Sequence, residues 1–224
     1  MKRLWAVTVL CMMALTACAQ AAEPHERANV PAGNWIWIDI HQKSLTLYHG
    51  TEAQKTWPIA TGAWETPSPV GIYTITNRFS GELGGFGTRF LGLNVPWGQY
   101  GIHGTNKPQS IGSNASHGCI RMHVKHSETL YGLVGVGSKV VIEGGPYGLL
   151  DQTLRQLQPG DRNSHVKAVQ ARLYQLGYLH QWPDGIYGQA TQQAVLRARR
   201  ALGLTEGDCV DAAFYRAIGL ILYE

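Results

Sequence analysis

Short apolar stretches separated by turns rich in glycine and proline make up residues 34–143, and they limit the possible fold more than any other feature of the chain. In WIWIDI, isoleucine occupies every second position from Ile36 to Ile40, which is the period of a strand with one buried face. Similar stretches are KTWPIAT, VGIYTITNR, FLGLNV and SKVVIEG, and the turns between them include TPSPVG and GELGGFG. Helical spacing is convincing only in residues 126–134. The pattern predicts a mainly β domain, a sandwich or a barrel, over residues 34–143.

The apolar period changes after residue 144, and this change marks a second unit. Ser164 is expected to cap a helix that ends at Gly177, because the residues between them recur at helical spacing: Val166, Val169, Leu173 and Leu176. Two further helices are expected over residues 191–202 and 212–220. The sequence therefore predicts a linker over residues 144–158 and a small all-α domain of three helices over residues 159–224. This unit has no acid pair or metal-ligand cluster, which is typical of a binding module.

The N-terminus has the pattern of an export signal. Lys2 and Arg3 precede an apolar segment, residues 4–15, that is too short to span a bilayer comfortably. Two cleavage sites compete. LTAC, which ends at Cys18, resembles the lipobox of bacterial lipoproteins, in which the cysteine becomes the lipidated first residue; AQA, residues 19–21, is an ordinary A-x-A site. We predict a signal peptide over residues 1–21, a polar tether over residues 22–33, and an exported protein with possible membrane attachment through lipidated Cys18.

Charge limits the possible binding partners, and cysteine content limits the possible disulfides. The formal net charge of +4 includes Lys2 and Arg3, and it is too small to indicate a nucleic-acid partner. Export removes Cys11 with the signal, and Cys18 is either lipidated or removed, so Cys119 and Cys209 are the two cysteines that could pair outside the cytoplasm. They lie in different predicted domains, and we expect Cys119 to be a free, reactive thiol.

The stretch SHGCIRM, residues 116–122, contains the strongest candidates for catalytic residues. A cysteine needs a nearby base or positive charge to react as the thiolate, and His103, His117 and His123 are the candidates. His117 and Cys119 point to the same side if this stretch is a strand, and the long loop after His103 allows that residue to lie beside them. Gly112 and Gly118 permit unusual backbone angles. His123 and His126 are expected at the surface or at a helix cap.

The sequence allows two other interpretations of Cys119. His103, His117 and Cys119 could bind zinc, but no acidic residue lies nearby to complete or orient that site. A buried structural cysteine is disfavoured because SHGCIR is too polar for an ordinary core strand. The residues themselves favour a Cys–His acyl-transfer enzyme without a metal.

These motifs resemble a known family. HGT at residues 103–105, Gly112 and SHGCIRM resemble the signature of the L,D-transpeptidase catalytic domain, the YkuD family, and residues 34–143 follow its strands and its TPSPVG loop. In residues 159–224, GD, VKAVQARL, LGY and DGIYGQAT resemble the peptidoglycan-binding domain 1 family. The last part, EGDCVDAAFYRAIG, is a weaker match, so a structural cap on the enzyme remains an alternative role.

The resemblance implies an activity and its residues. Cys119 is the expected nucleophile and His103 the base, oriented by the carbonyl of Gly104. The backbone N–H groups of His117, Gly118 and Cys119 are expected to hold the oxyanion. Ser116 and Arg121 are expected to shape the substrate site, and Arg121 to meet a substrate carboxylate. No metal or organic cofactor is implied.

The implied reaction is 3→3 cross-linking of peptidoglycan, with D-Ala released from a tetrapeptide stem. Peptidoglycan stem peptides and glycan are the expected partners, carbapenems the expected inhibitors, and the cell envelope (periplasm or outer face of the cytoplasmic membrane) the expected location. The alternatives are an L,D-carboxypeptidase and a non-catalytic cell-wall-binding lipoprotein. Residues 81–92 are expected to form a mobile flap over the site. Deletion of residues 150–224 is expected to leave activity on soluble substrates nearly unchanged while weakening binding to insoluble sacculi.

Overall fold

The computed structural model describes residues 31–144, 150 and 154–220. The predicted signal peptide, both cleavage sites, Cys18 and nearly all of the tether lie outside the described residues. The described parts of the β domain and of the helical domain belong to one compact unit.

The β domain contains ten strands and one helix. The strands are β1 (Asn34–Asp39), β2 (Ser44–His49), β3 (Glu52–Pro58), β4 (Thr61–Gly62), β5 (Gly71–Ser80), β6 (Arg89–Leu93), β7 (Tyr100–Gly104), β8 (Asn114–Ser116), β9 (Ile120–Met122) and β10 (Lys139–Glu143). Helix α1 (Val124–Leu133) lies between β9 and β10. Single-turn 3-10 helices cover Gly84–Phe86 and Pro108–Ser110.

Eight strands form one sheet in the order β3-β2-β1-β10-β5-β6-β7-β9, and β4 pairs with β8. The two ends of the sheet are joined just beyond β3, because Ala60 and Arg121 exchange two backbone hydrogen bonds of 2.9 Å each. The sheet is therefore a nearly closed barrel, which removes most of the unpaired edge. The predicted mainly β fold is confirmed.

The alternation of buried and exposed side chains along the strands shows which residues form the core of the barrel. Ile36 and Ile38 of β1 are fully buried, and they lie in register with Val140 and Ile142 of the parallel neighbour β10. Because successive strand residues point to opposite faces, the isoleucines face inward while the residues between them line the outside. Each such side chain contributes about 1.5–3 kcal/mol of hydrophobic stabilisation relative to an exposed one. This core holds in place β7, which contains His103, and β9, which follows Cys119.

Helix α1 begins two residues earlier than the pattern predicts. Its N-cap is His123, and the Ser127 N–H donates to the His123 carbonyl at 3.0 Å, so the first turn forms at the end of β9. The predicted start at His126 was wrong because Val124 and Lys125 do not continue the apolar spacing. His123 is thereby assigned to the helix cap, as the sequence indicates.

The helical domain contains α2 (Ser164–Gln175), α3 (Gln189–Ala201) and α4 (Ala212–Ala217), each within three residues of the predicted bounds. The predicted cap residue of α2 was wrong. Asn163 is the N-cap and accepts the Val166 N–H at 3.0 Å, while the Ser164 hydroxyl accepts a hydrogen bond from the β domain. The third helix ends before Leu220 because Gly219 adopts a positive φ of 70°.

The linker was predicted too long at its C-terminal end. Leu157 is 1% exposed, and its backbone pairs with Val210 through hydrogen bonds of 2.9 and 2.8 Å. The folded helical domain therefore includes Leu157 and begins before Pro159, the boundary that the sequence predicts.

Candidate active site

His103 lies on β7, and Cys119 lies immediately before the neighbouring strand β9. β7 pairs with β9 in parallel, with Ile102 opposite Ile120 and His103 opposite Arg121. Cys119 directly precedes β9, and its thiol accepts a hydrogen bond from the backbone of Gly101, two residues before His103. Cys119 is two residues before Arg121, which lies opposite His103 in the parallel pair. Side chains two apart on a strand point to one face, so this register places the Cys119 thiol and the His103 ring on the same side.

His103 is held in one tautomer. It is 3% exposed, and its Nδ1 makes a short hydrogen bond with the carbonyl oxygen of Gly104. A carbonyl can only accept, so Nδ1 carries the hydrogen and Nε2 keeps a lone pair. Gly104 in turn lies against α1, where an added Cβ would come within 2.9 Å of Ser127 Oγ. The arrangement leaves His103 able to accept a proton through Nε2.

Two phenylalanines enclose the His103 ring. Phe86, on the segment 81–92 that the sequence predicts as a flap, meets it edge-on with ring centroids 4.8 Å apart, and Phe90 stacks on it at 5.9 Å. Burial therefore lowers the pKa of His103 to about 4, helped by the positive charge of Arg121 and opposed by the hydrogen bond to Gly104. The imidazole is neutral at pH 7.

The thiol of Cys119 is partly buried. Burial raises its pKa, while the hydrogen bond from Gly101 and the charge of Arg121 act in the opposite direction. A raised thiol pKa and a lowered imidazole pKa mean that the resting pair is neutral rather than a thiolate and an imidazolium. Such a pair can react only by moving the thiol proton to His103 as the sulfur attacks.

Ser116 fixes the loop that carries the cysteine. Its hydroxyl donates to the Cys119 carbonyl at 2.6 Å and accepts the Gly118 N–H at 3.0 Å. Its own carbonyl accepts from the Ala63 N–H at 2.8 Å and from Thr66 Oγ1 at 3.1 Å, in the loop that contains TPSPVG. Ser116 is 2% exposed, so its hydroxyl shapes the loop from within rather than facing the solvent.

Gly118 has two reasons to be glycine. Its φ is +111°, a conformation that other residues rarely adopt, and an added Cβ would lie 2.5 Å from Cε1 of Tyr100. Its N–H is already used by Ser116, which the sequence-based expectation of an oxyanion donor did not foresee. Of the three N–H groups expected to hold the oxyanion, that of Gly118 is therefore already hydrogen-bonded within the loop.

Arg121 and His117 lie at the margins of the site. Arg121 is partly exposed, its backbone closes the barrel through Ala60, and its charge acts on both His103 and Cys119. His117 is exposed. The structure therefore brings His103, Gly104, Ser116, Gly118, Cys119 and Arg121 together, with His117 on the solvent side.

Some residues of the site were missed by the sequence analysis. Gly101, which donates to the thiol, and Tyr100, which packs on Gly118, are in YGIHGT directly before His103. Gly101 could have been found, since it shares a strand face with His103. Nothing in the local pattern identified Tyr100 or Phe86, because both contacts join segments distant in sequence.

Among the described residues, no group of three or more His, Cys, Asp and Glu side chains is arranged to hold a metal ion. Cys119 and Cys209 are both free thiols. None of the helices in the described part of the chain is long and apolar enough to cross a membrane.

Two family models match this chain. Residues 33–142 match the model of the L,D-transpeptidase catalytic domain (YkuD), and residues 162–209 match the family described as "Putative peptidoglycan binding domain". These matches place an L,D-transpeptidase catalytic domain of the YkuD family at residues 33–142 and a putative peptidoglycan binding domain at residues 162–209. The resemblance on which the sequence analysis relied is confirmed.

Individual relatives cover part of the chain. "Putative L,D-transpeptidase YkuD" of Bacillus subtilis (strain 168) is 44% identical over 107 residues, which are 48% of this chain and 64% of that protein. "Putative L,D-transpeptidase YqjB" of the same organism is 27% identical over 128 residues, 50% of this chain and 73% of that protein. L,D-transpeptidase 3 of Mycobacterium tuberculosis superposes with a TM-score of 0.46 at 18% identity, covering 50% of this chain and 61% of that one.

Proposed function

We propose that this protein is an L,D-transpeptidase that forms 3→3 cross-links in peptidoglycan by cysteine acyl transfer. The observation that carries the proposal is the hydrogen bond to Gly104 that leaves Nε2 of His103 as its basic nitrogen, on the strand that pairs with the one following Cys119. The family of residues 33–142 gives the class of substrate.

In the first step, the Cys119 sulfur attacks the carbonyl between the third residue of a stem tetrapeptide and its terminal D-Ala. The thiol proton passes to Nε2 of His103 while the carbon–sulfur bond forms. The carbonyl electrons move to oxygen, and we assign the N–H groups of Cys119 and His117 to that oxyanion because the Gly118 N–H is bonded to Ser116.

In the second step, the oxyanion collapses and the carbon–nitrogen bond to D-Ala breaks. The proton on His103 passes to the departing amine, so D-Ala leaves as a neutral amine and a thioester remains on Cys119. In the third step, His103 removes a proton from the side-chain amine of a second stem. That amine attacks the thioester, the carbon–sulfur bond breaks, and the thiol regains its proton.

Arg121 is assigned to the substrate carboxylate. Its guanidinium is partly exposed beside the reacting pair, and a charge there both attracts the carboxylate of D-Ala and helps to keep His103 neutral. Ser116 is assigned to holding the Cys119 loop, since its hydroxyl is fully used inside that loop.

The helical domain is proposed to bind peptidoglycan, on the strength of its family match over residues 162–209. An open cleft on this domain is lined by Leu196, Arg199, Arg200, Glu206 and Gly207. Arg199 is buried and pairs with Asp211 at 2.5 Å, so Arg200 and Glu206 are the polar groups of the cleft that remain for a ligand.

Export to the cell envelope and lipidation of Cys18 remain proposals about residues outside those described. Both a lipidated N-terminus at Cys18 and cleavage after Ala21 would deliver the enzyme to its substrate. The mass of the mature N-terminus distinguishes them.

Product analysis separates the proposal from its alternatives. Purified enzyme incubated with disaccharide-tetrapeptide should release D-Ala and yield 3→3 dimer, with the dimer fraction rising as substrate concentration rises; added D-Met should give the exchanged tetrapeptide. Tripeptide alone under all these conditions would identify a carboxypeptidase, in which water resolves the thioester. No product of any kind, from protein that binds sacculi, would identify a non-catalytic wall-binding protein.

A further inference from the structure

The helical domain packs against the β domain through the start of α2. Ser164 Oγ accepts the N–H of Val70, within the TPSPVG stretch, at 2.7 Å in a buried position. Lys167 Nζ lies 5.1 Å from the centre of the Tyr73 ring and 6.0 Å from that of Trp97, and burial lowers its pKa. Ile186 of the helical domain also packs against the core of the barrel.

Gly185 and Trp97 form a second contact between the two domains. An added Cβ at Gly185 would lie 2.3 Å from Cε3 of the indole, so the backbone of the helical domain rests directly on this ring. Trp97 is 8% exposed. The two domains are therefore packed in contact rather than merely linked.

From Trp97 the contacts continue to the nucleophile. The Trp97 and Tyr100 rings are 6.4 Å apart in an edge-to-face arrangement. Tyr100 in turn lies against Gly118, which is adjacent to Cys119 and has a φ of +111°. Three contacts thus connect Gly185 to the residue next to the thiol.

We propose that the helical domain is a built-in partner that positions the catalytic loop, acting through Trp97 on Tyr100, and that Tyr100 is a positioning residue for Cys119. This inference rests on the proposed function for its catalytic readout only. The physical reason is that the loop at residues 117–119 lies between two strands, where the sheet ladder does not hold it, so the packed Tyr100 ring limits its movement. Trp97 limits the movement of Tyr100 only while Gly185 and Lys167 cover the indole.

A pair of alanine variants in the full chain tests the docking contact. Gly185→Ala inserts a methyl group against Trp97. Gly177→Ala is the matched control, since Gly185 and Gly177 have nearly the same φ (79° and 78°) but an added Cβ at Gly177 has no neighbour within 4 Å. Two quantities are measured: kcat/KM on a soluble tetrapeptide stem, and the rate of Cys119 alkylation by iodoacetamide, followed by peptide mass spectrometry with Cys209 as the internal reference thiol.

We expect Gly185→Ala to lower kcat/KM about ten- to a hundredfold, since misplacement of a reacting group by an ångström costs on the order of 10² in rate. The alkylation rate of Cys119 should change several-fold relative to Cys209, whereas Gly177→Ala should leave both quantities close to those of the unmodified protein. Equal values for Gly185→Ala and Gly177→Ala would overturn the inference.

A second pair tests Tyr100 and does not depend on the docking variant folding. Tyr100→Phe keeps the ring against Gly118 and should retain most of kcat, while Tyr100→Ala should lose kcat with little change in KM. Loss of equal size in both variants, or in neither, would contradict the positioning role. If the unmodified protein turns over no stem peptide, the proposed function fails, yet the alkylation rates still decide whether the domains are coupled.

Discussion

At the scale of single residues, the chemistry depends on a histidine kept neutral and a thiol kept protonated. Phe86 and Phe90 exclude water from His103, and the Gly104 carbonyl fixes its tautomer. The cost of burying this imidazole is small because the neutral form carries no charge. The site therefore uses base catalysis at the moment of attack rather than a preformed ion pair.

The pH dependence of acylation follows from this state of His103. Below its pKa the imidazole holds a proton and cannot accept one from the thiol, so the rate should fall as pH falls through about 4. An ordinary histidine would lose activity near pH 6.5. Single-turnover acylation measured from pH 3 to 8 checks this prediction, and a midpoint near 6.5 would mean that His103 is not the base or is not buried in solution.

Replacement of His103 by Asn separates its two roles. Asn can still donate to the Gly104 carbonyl but has no basic nitrogen, so His103→Asn should keep the fold and lower the acylation rate by about 10²–10⁴. The acid limb should disappear with it. His117→Ala, an exposed change, should keep the limb; the reverse pattern would assign the base to His117.

The role of Ser116 predicts a stability effect as well as a catalytic one. Ser116→Ala leaves the Gly118 N–H and the Cys119 carbonyl without their partner, which should lower the free energy of unfolding by about 1–3 kcal/mol. Ser113→Ala is the control, because Ser113 is exposed and its hydroxyl bonds only within its own turn. Denaturant unfolding of both variants measures the difference, and equal losses would refute the loop-holding role.

At the scale of elements, the sequence predicted the long strands better than the short ones that hold the site. β1 and β5 show clear alternation, but β7 is short and glycine-rich, and β9 has three residues, so neither stands out by its pattern. Their pairing depends on the closure of the barrel through Ala60. Ser164 shows the same limit of the sequence pattern. Its hydroxyl bonds to Val70 of the β domain and not to its own helix, and the local sequence does not indicate that contact.

The segment 81–92 is predicted to control water at the thioester. Phe86→Ala should open one side of His103, raise its pKa from about 4 toward the ordinary value, and move the acid limb of acylation to higher pH. It should also raise the ratio of tripeptide to dimer, since water competes with the acceptor amine. Phe79→Ala is the control, because Phe79 is 55% exposed and contacts Phe90 rather than His103. An unchanged product ratio would remove this segment from the mechanism.

At the scale of the whole molecule, the described parts of the two domains form one compact unit. The sequence predicted both folds, but it also led to the expectation that activity on soluble substrates does not need the helical domain. The contacts of Gly185 and Lys167 with Trp97 argue for coupling instead. Such contacts could not be foreseen, because interdomain packing leaves no periodic pattern in either domain.

This coupling predicts that the two domains unfold together. Calorimetry should give one transition for the unmodified protein, and Gly185→Ala should separate it into two, while Gly177→Ala shifts it without splitting. Two well-resolved transitions in the unmodified protein would mean that the interdomain contacts are too weak to couple the domains.

The central claim is that Cys119 carries the acyl group during turnover, and rapid-quench mass spectrometry tests it most directly. Enzyme mixed with disaccharide-tetrapeptide and quenched in acid should gain the mass of the disaccharide-tripeptide acyl group on the peptide that contains Cys119, in step with release of one D-Ala. Carbapenem should label the same peptide, and Cys119→Ala should show neither adduct nor D-Ala release. D-Ala release without an adduct on Cys119, or an adduct that persists in Cys119→Ala, would contradict the account.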